Sequence, residues 1–136
     1  SNINFLKGRY LKPQLLEGVE VGRFGDPAWL DSRARVLLKY RGEDAIFAKL
    51  LLPYDLLKDA GIRVKISVEG DLVLDRWLDR SRSSYLFAML PRRYDKQLIE
   101  VEFRFDRTIS TGERSEKRSV MVSEIGLKKV GCEVYR

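Results

Sequence analysis

Ile62-Arg-Val-Lys-Ile-Ser-Val68 decides the fold. Apolar and polar residues alternate without a fault, so Ile62, Val64, Ile66 and Val68 point one way and Arg63, Lys65 and Ser67 the other. A two-residue period belongs to a strand, and its mixed character marks one buried face and one wet face. Glu69-Gly70-Asp71 then supplies turn chemistry, because glycine accepts the positive φ of tight turns. Leu72-Val73-Leu74 restarts the chain as the hairpin partner.

The same pattern recurs on both sides. Ile99, Val101, Phe103 and Phe105 alternate with Glu100, Glu102 and Arg104. Ala34 to Tyr40 repeats it, blurred at Leu37, and leads through a turn at Arg41-Gly42-Glu43-Asp44 into a strand from Ile46 to Leu52. Tyr85 to Leu90 is an apolar run short enough for a buried strand. Val120-Met121-Val122 and Ile125-Gly126-Leu127 are out of phase with each other, which predicts a β-bulge at Ser123-Glu124. Helix is expected only at 53–60, where Pro53 suits a first helical position and Gly61 a stop. About eight short strands separated by turns make this an all-β chain, an antiparallel β-sandwich or barrel. A parallel α/β fold would need crossover helices. Residues 1–16 lack periodicity and read as a linker or arm, with the β-sandwich domain over 17–136. Residues 106–119 are polar and charged and read as a long loop.

Composition narrows the chemistry. The 136 residues contain no histidine and one cysteine, Cys132. The commonest general base and metal ligand are therefore missing, no intrachain disulfide forms, and no thiolate zinc site can be built. No metal or other cofactor is expected. No apolar run reaches the ~18–20 residues of a membrane span, and Ser1 to Gly8 does not resemble a signal peptide. The net charge of +6 mixes 26 Lys and Arg with 20 Asp and Glu. Such a balance favours acidic partners weakly: phosphates, uronic acids or anionic head groups. The acids dispersed among the bases argue against a dedicated nucleic-acid binder.

The carboxylate pairs Asp75/Asp79 and Glu100/Glu102 have the residue types of a glycoside-hydrolysing dyad. Both are better explained as ion pairs, the first among Arg76, Arg80 and Arg82, the second across the polar face of a strand. The candidate binding surface is Asp75-Arg76-Trp77-Leu78-Asp79-Arg80-Ser81-Arg82. An indole flanked by guanidinium and carboxylate groups can stack on a sugar ring and hydrogen-bond its hydroxyls. The alternative is that Trp77 covers an edge of the core. Arg92, Arg93 and Tyr94, after Pro91, extend this rim or form an ordinary basic turn. Trp29 reads as a core aromatic.

The order of segments over roughly 17–128 resembles a non-catalytic, carbohydrate-binding-like jelly-roll domain associated with bacterial surface-polysaccharide glycosyltransferases. Gly18-Val-Glu-Val-Gly-Arg-Phe-Gly25 followed by Trp29 resembles the family's opening, and Val64-Lys-Ile-Ser-Val-Glu-Gly70 its middle strand. Ser115 to Leu127 resembles its closing segment, with Arg118, Val122, Ile125 and Leu127 in place. Glu116 stands where the family has Asp, Ser119 and Val120 replace a Leu-Gly-like pair, and Glu69 replaces the turn Asn. Arg118, beside Glu116, reads as an anchor of the long loop. The resemblance implies a glycan-binding or glycan-positioning accessory module, with a polysaccharide and a glycosyltransferase domain or subunit as partners. The implied location is the cytoplasm, up to the inner face of the membrane. The rival readings are a protein-docking or homo-oligomerisation module and, third, a basic nucleic-acid-binding domain.

Overall fold

The computed structural model describes the backbone of residues 16–20, 28–52, 61–79, 85–107, 109–111 and 114–130, and side chains within 30–52, 61–79, 85–107 and 120–130. Among these residues there are nine strands: β1 (Leu16–Glu20), β2 (Ala28–Lys39), β3 (Ala45–Leu51), β4 (Ile62–Val68), β5 (Asp71–Leu78), β6 (Tyr85–Met89), β7 (Leu98–Phe105), β8 (Ile109–Thr111) and β9 (Arg114–Lys128). Every pairing is antiparallel. The main path runs β5-β4-β7-β2-β9-β3-β6, with β1 added to β2 and β8 to β9. The short helix expected at 53–60 and most of the arm at 1–16 fall outside the described residues.

β2 organises the sheet. Its residues Arg33–Lys39 pair with β7, while Ala28–Asp31 pair with β9. The sheet therefore turns over along β2 into two wings, β5-β4-β7-β2 and β2-β9-β3-β6, and the end strands β5 and β6 approach each other across the open side. One buried cluster draws on both wings, including Leu38, Ile62, Ile66, Phe103, Val122 and Leu127. The alternation read from sequence is kept: Ile62, Val64, Ile66 and Val68 are buried against Ile99, Val101, Phe103 and Phe105. This is the all-β antiparallel sandwich, barrel-like in its near closure, that the pattern implies.

The β4–β5 hairpin turns at Glu69 and Gly70, whose φ values of 49° and 83° are both positive. Two central residues with positive φ define the primed turn that matches strand twist. Glu69 is an unusual occupant, and its carboxylate is tied down. It accepts the Glu100 N–H at 2.7 Å and pairs with Lys96. The expected bulge also appears. Lys49 pairs with Glu124 and Leu50 with Val122, leaving Ser123 as the extra residue. Its hydroxyl donates to the Lys49 carbonyl at 3.2 Å. The bulge resets the phase so that Val120 and Val122 before it, and Ile125 and Leu127 after it, all enter the core.

One expectation needs correction. Residues 106–119 are not one long loop, because β8 pairs with the start of β9 within them. The first described strand, β1, begins at Leu16, the boundary residue of the stretch read as an arm. Backbone pairing builds both strands, and pairing leaves no apolar alternation to read.

Candidate functional site

β5 brings Trp77 to the surface. Register with β4 sets Trp77 opposite Arg63, Asp75 opposite Lys65, and Arg76 opposite Val64. The pleat therefore puts Trp77, Asp75, Arg63 and Lys65 on the outer face, whereas Arg76 has the parity of the core side. Arg76 is nevertheless exposed because β5 ends the sheet path. A charge with inward parity on an end strand also discourages a further strand from adding there. Trp77 is 48% exposed. Its indole rests on Gly61: a Cβ at Gly61 would lie 2.5 Å from Cε2 and 2.6 Å from Nε1. The absence of a side chain at Gly61 is thus what lets the ring lie there.

Arg63 completes the surface. Its Nε and Nη2 donate to the two Asp75 carboxylate oxygens, each at 2.7 Å, a bidentate fork. The fork holds the Asp75 carboxyl below its ordinary range and the Arg63 guanidinium above its own. The Arg63 backbone N–H donates to Asp106 Oδ1 at 3.0 Å. Alongside lies an open cavity of about 360 Å³ lined by Arg63, Lys65, Arg104, Phe105 and Asp106. The acid pairing expected between Asp75 and its sequence neighbours is made across the hairpin instead, by Arg63.

The other predicted residues divide. Asp79 is half-buried and engaged; Arg80 and Arg82 fall outside the described residues. Arg92 and Tyr94 do not extend the rim around Trp77. They gather around Asp71 at the opposite end of β5, six strand residues or about 20 Å away. Arg92 Nε donates to Asp71 Oδ2 at 2.8 Å, and the Tyr94 hydroxyl donates to the same oxygen at 2.9 Å. Tyr94 is buried, edge-on to Tyr40 with centroids 5.8 Å apart. Burial, reinforced by the Asp71 hydrogen bond, pushes its phenol up to about 12. Tyr94 is thus a structural pin between the 91–97 loop and the β4–β5 turn. Trp29 is placed in β2 opposite Met121. Glu116 and Arg118 lie inside β9, with Arg118 paired to Asp31 and Ile109, rather than ahead of a final strand. The side chains of these three are outside the described set.

Glu102 is held between Arg33 at 2.7 Å and Arg104 at 2.8 Å, and Glu100 faces Arg35 at 3.5 Å. These carboxylates serve cross-strand ion pairs, as the polar face of β7 implied. Among the described residues no group of three or more His, Cys, Asp or Glu is placed to hold a metal ion. None of their helices is long and apolar enough to cross a membrane.

Two surfaces escaped the sequence reading. On the outer face of β3 and β6, Phe47 stacks on Tyr85 (centroids 6.1 Å apart, planes at 16°), and Lys128 Nζ sits 4.9 Å from the Phe47 centroid. Beside them Phe87 and Met89 are exposed. Alternation in β6 would have revealed this row, but Tyr85–Leu90 is so apolar that its period is hidden. The second surface is a cleft between the 40–44 and 91–97 loops, lined by Tyr40, Arg41, Gly42, Arg93, Asp95 and Lys96 among others, with a volume of about 390 Å³.

No protein-family model matches the chain, and no curated protein matches it in sequence. Its fold does match solved structures. One is a family GH115 4-O-methyl-α-glucuronidase, BtGH115A, described as specific for decorated arabinogalactans. It aligns over 96% of this chain and 18% of that one, with a TM-score of 0.55 and 13% identity. Another holds the CBM51-2 and INT domains of Clostridium perfringens ZmpB, aligned over 75% of this chain and 22% of that one, with a TM-score of 0.47 and 9% identity. The chain thus spans about a fifth of the length of these neighbours. At such identity the glucuronidase match establishes a shared fold with one part of a much larger protein.

Proposed function

We propose that this domain is a non-catalytic glycan-binding module, with Trp77 as its stacking platform. In the finer form of the proposal it is attached to, or works beside, a bacterial glycosyltransferase of surface-polysaccharide synthesis. The observation that carries the reading is the half-exposed indole seated on Gly61 beside the Arg63–Asp75 fork. A sugar ring presents an apolar face to an indole and hydroxyls around its rim. Asp75 retains free lone pairs beyond the fork, and Arg63 and Lys65 line the adjoining cavity. One stack supplies on the order of 1–3 kcal/mol, by analogy with base stacking, so affinity is modest. The ion pairs of Glu100, Glu102 and Asp75 support a binding role over a catalytic one. The transferase context rests on the resemblance of the Gly18–Gly25, Val64–Gly70 and Ser115–Leu127 segments.

The test is an NMR titration with oligosaccharides, arabinogalactan fragments included because the glucuronidase neighbour is described by them. The expected result is a shift of the Trp77 indole N–H and of amides at 61–63 and 75–77, abolished in Trp77→Ala. Silence at these positions with every glycan refutes the reading, as does an unchanged response in the variant.

A second reading, self-association, is favoured by the outward row of Tyr85, Phe87 and Met89, exposed by 38%, 41% and 50%. Light scattering decides it: a molar mass that stays monomeric as concentration rises excludes it.

A further inference from the structure

We propose a second binding site, distinct from Trp77 and at the other end of the β4–β5 hairpin. The cleft between the 40–44 and 91–97 loops takes an oxyanion carried on a sugar, a uronate or a sugar phosphate.

The first argument is the distribution of unspent charge. On the β2–β7 face, at Arg63 and around the β4–β5 turn, cations are matched to acids: Arg33 and Arg104 to Glu102, Arg63 to Asp75, Arg92 to Asp71, Lys96 to Glu69. Lys49, Lys65, Arg76 and Lys128, which have no acid within ion-pair distance among the described residues, are spread over four strands. Lys39, Arg41 and Arg93 have no acidic partner among the described residues. All three line the cleft or the cavity of about 520 Å³ that continues it past Tyr40, Arg41 and Gln97. Three unmatched cations there face one lining carboxylate, Asp95. Positive charge left unpaired in a concavity concentrates anions from solution.

The second argument is that the cleft is built. Arg93 lies against Gly42, its Nη1 3.0 Å from where a Cβ would stand. Gly42 has φ of +84°, so the turn excludes a side chain on conformational grounds as well. The floor is fixed by the edge-on Tyr40–Tyr94 pair and by the Tyr94 N–H donating to the Tyr40 hydroxyl at 3.3 Å. The Tyr40 N–H to Gln97 carbonyl bond, 2.9 Å, joins the two walls. Two guanidinium forks suit planar carboxylate and tetrahedral phosphate alike, and the Gln97 amide offers both a donor and an acceptor to ring hydroxyls.

The experiment titrates the whole chain with glucuronate, glucose 6-phosphate, glucose and inorganic phosphate, following amide shifts at 39–44 and 91–98. Saturable shifts with glucuronate or with glucose 6-phosphate support the site, and which of the two binds identifies the source of the oxyanion. Arg41→Ala and Arg93→Ala, both at exposed positions, should each weaken that binding about tenfold or more, the effect of losing a charge-assisted hydrogen bond. Arg93→Lys, which keeps charge without the fork, should fall between. Equal shifts with glucose overturn the proposal. So do shifts with inorganic phosphate as large as with glucose 6-phosphate, which mean an adventitious ion only, and so does silence with every probe. Trp77→Ala leaves these shifts intact, so failure here is separable from failure at the indole.

Discussion

Replacing Gly61 by alanine tests the seat of the candidate platform. The new Cβ would stand 2.5 Å and 2.6 Å from two indole atoms of Trp77 and in collision with the Leu78 carbonyl oxygen. Non-bonded carbons settle at about 3.5–4.0 Å, so the ring must retreat by about 1 Å or more. The carbonyl has less freedom, because Leu78 is paired with Ile62 in the β4–β5 ladder. Overpacking of this kind costs about 1–3 kcal/mol. Urea unfolding should show that loss. In a Trp29→Phe background the emission of Trp77 should move to the red as the ring leaves its seat. Gly70→Ala is the control: no atom lies within 4 Å of its Cβ, but φ is +83°. It should lose about 1–2 kcal/mol to backbone strain alone, with Trp77 emission unchanged. If Gly61→Ala stays within about 0.5 kcal/mol of the parent and keeps its emission, the indole does not rest on Gly61 and the platform argument fails.

Deleting Ser123 removes the bulge but keeps Val122 opposite Leu50 and Glu124 opposite Lys49, so that Val122, Ile125 and Leu127 alternate regularly and stay inward. The expected outcome is a cooperative urea transition that is kept, with a cost on the order of that of Ser123→Ala, about 1 kcal/mol for one lost hydrogen bond. Loss of cooperativity on deletion would refute the assignment of Ser123 as the extra residue. Alkali should destabilise the fold through Tyr94, whose phenol titrates at about 12 in the folded chain against an ordinary value of 10. A raised folded value means that the contribution is whole below pH 10 and drains as pH rises through 12. Tyr94→Phe should flatten that limb of a stability–pH curve, and an unchanged limb would place its origin elsewhere.

Strands with one wet face were legible because burial writes itself into alternation: β4 and β7 could be read residue by residue. The Ser123 bulge was legible for the same reason, since a slipped phase needs an extra residue. β1 and β8 were not, because their membership rests on backbone hydrogen bonds that any sequence can make. Trp77 was found by its charged neighbours, yet alternation moved Arg76 off its face and Arg63 onto it. Sequence leaves Arg92 and Tyr94 open between an extension of the Trp77 rim and a basic turn, because it does not show that their partner Asp71 lies at the far end of β5. The loop cleft was invisible: Arg41 and Arg93 come from connections brought together only by β2, β7 and the Tyr40–Tyr94 contact.

The division of β2 between two neighbours has a consequence for synthesis. As the chain leaves a ribosome, β1 with β2 and β4 with β5 have their partners at hand. The other edge of β2 waits for β7 and β9, and β3 waits for β6 and β9. Assembly therefore depends on β9, the last of the described strands to be translated, and such late, non-local closure is slow. Until Lys128 clears the exit channel, Leu30 and Leu50 have no roof, and a stalled nascent chain is left adhesive.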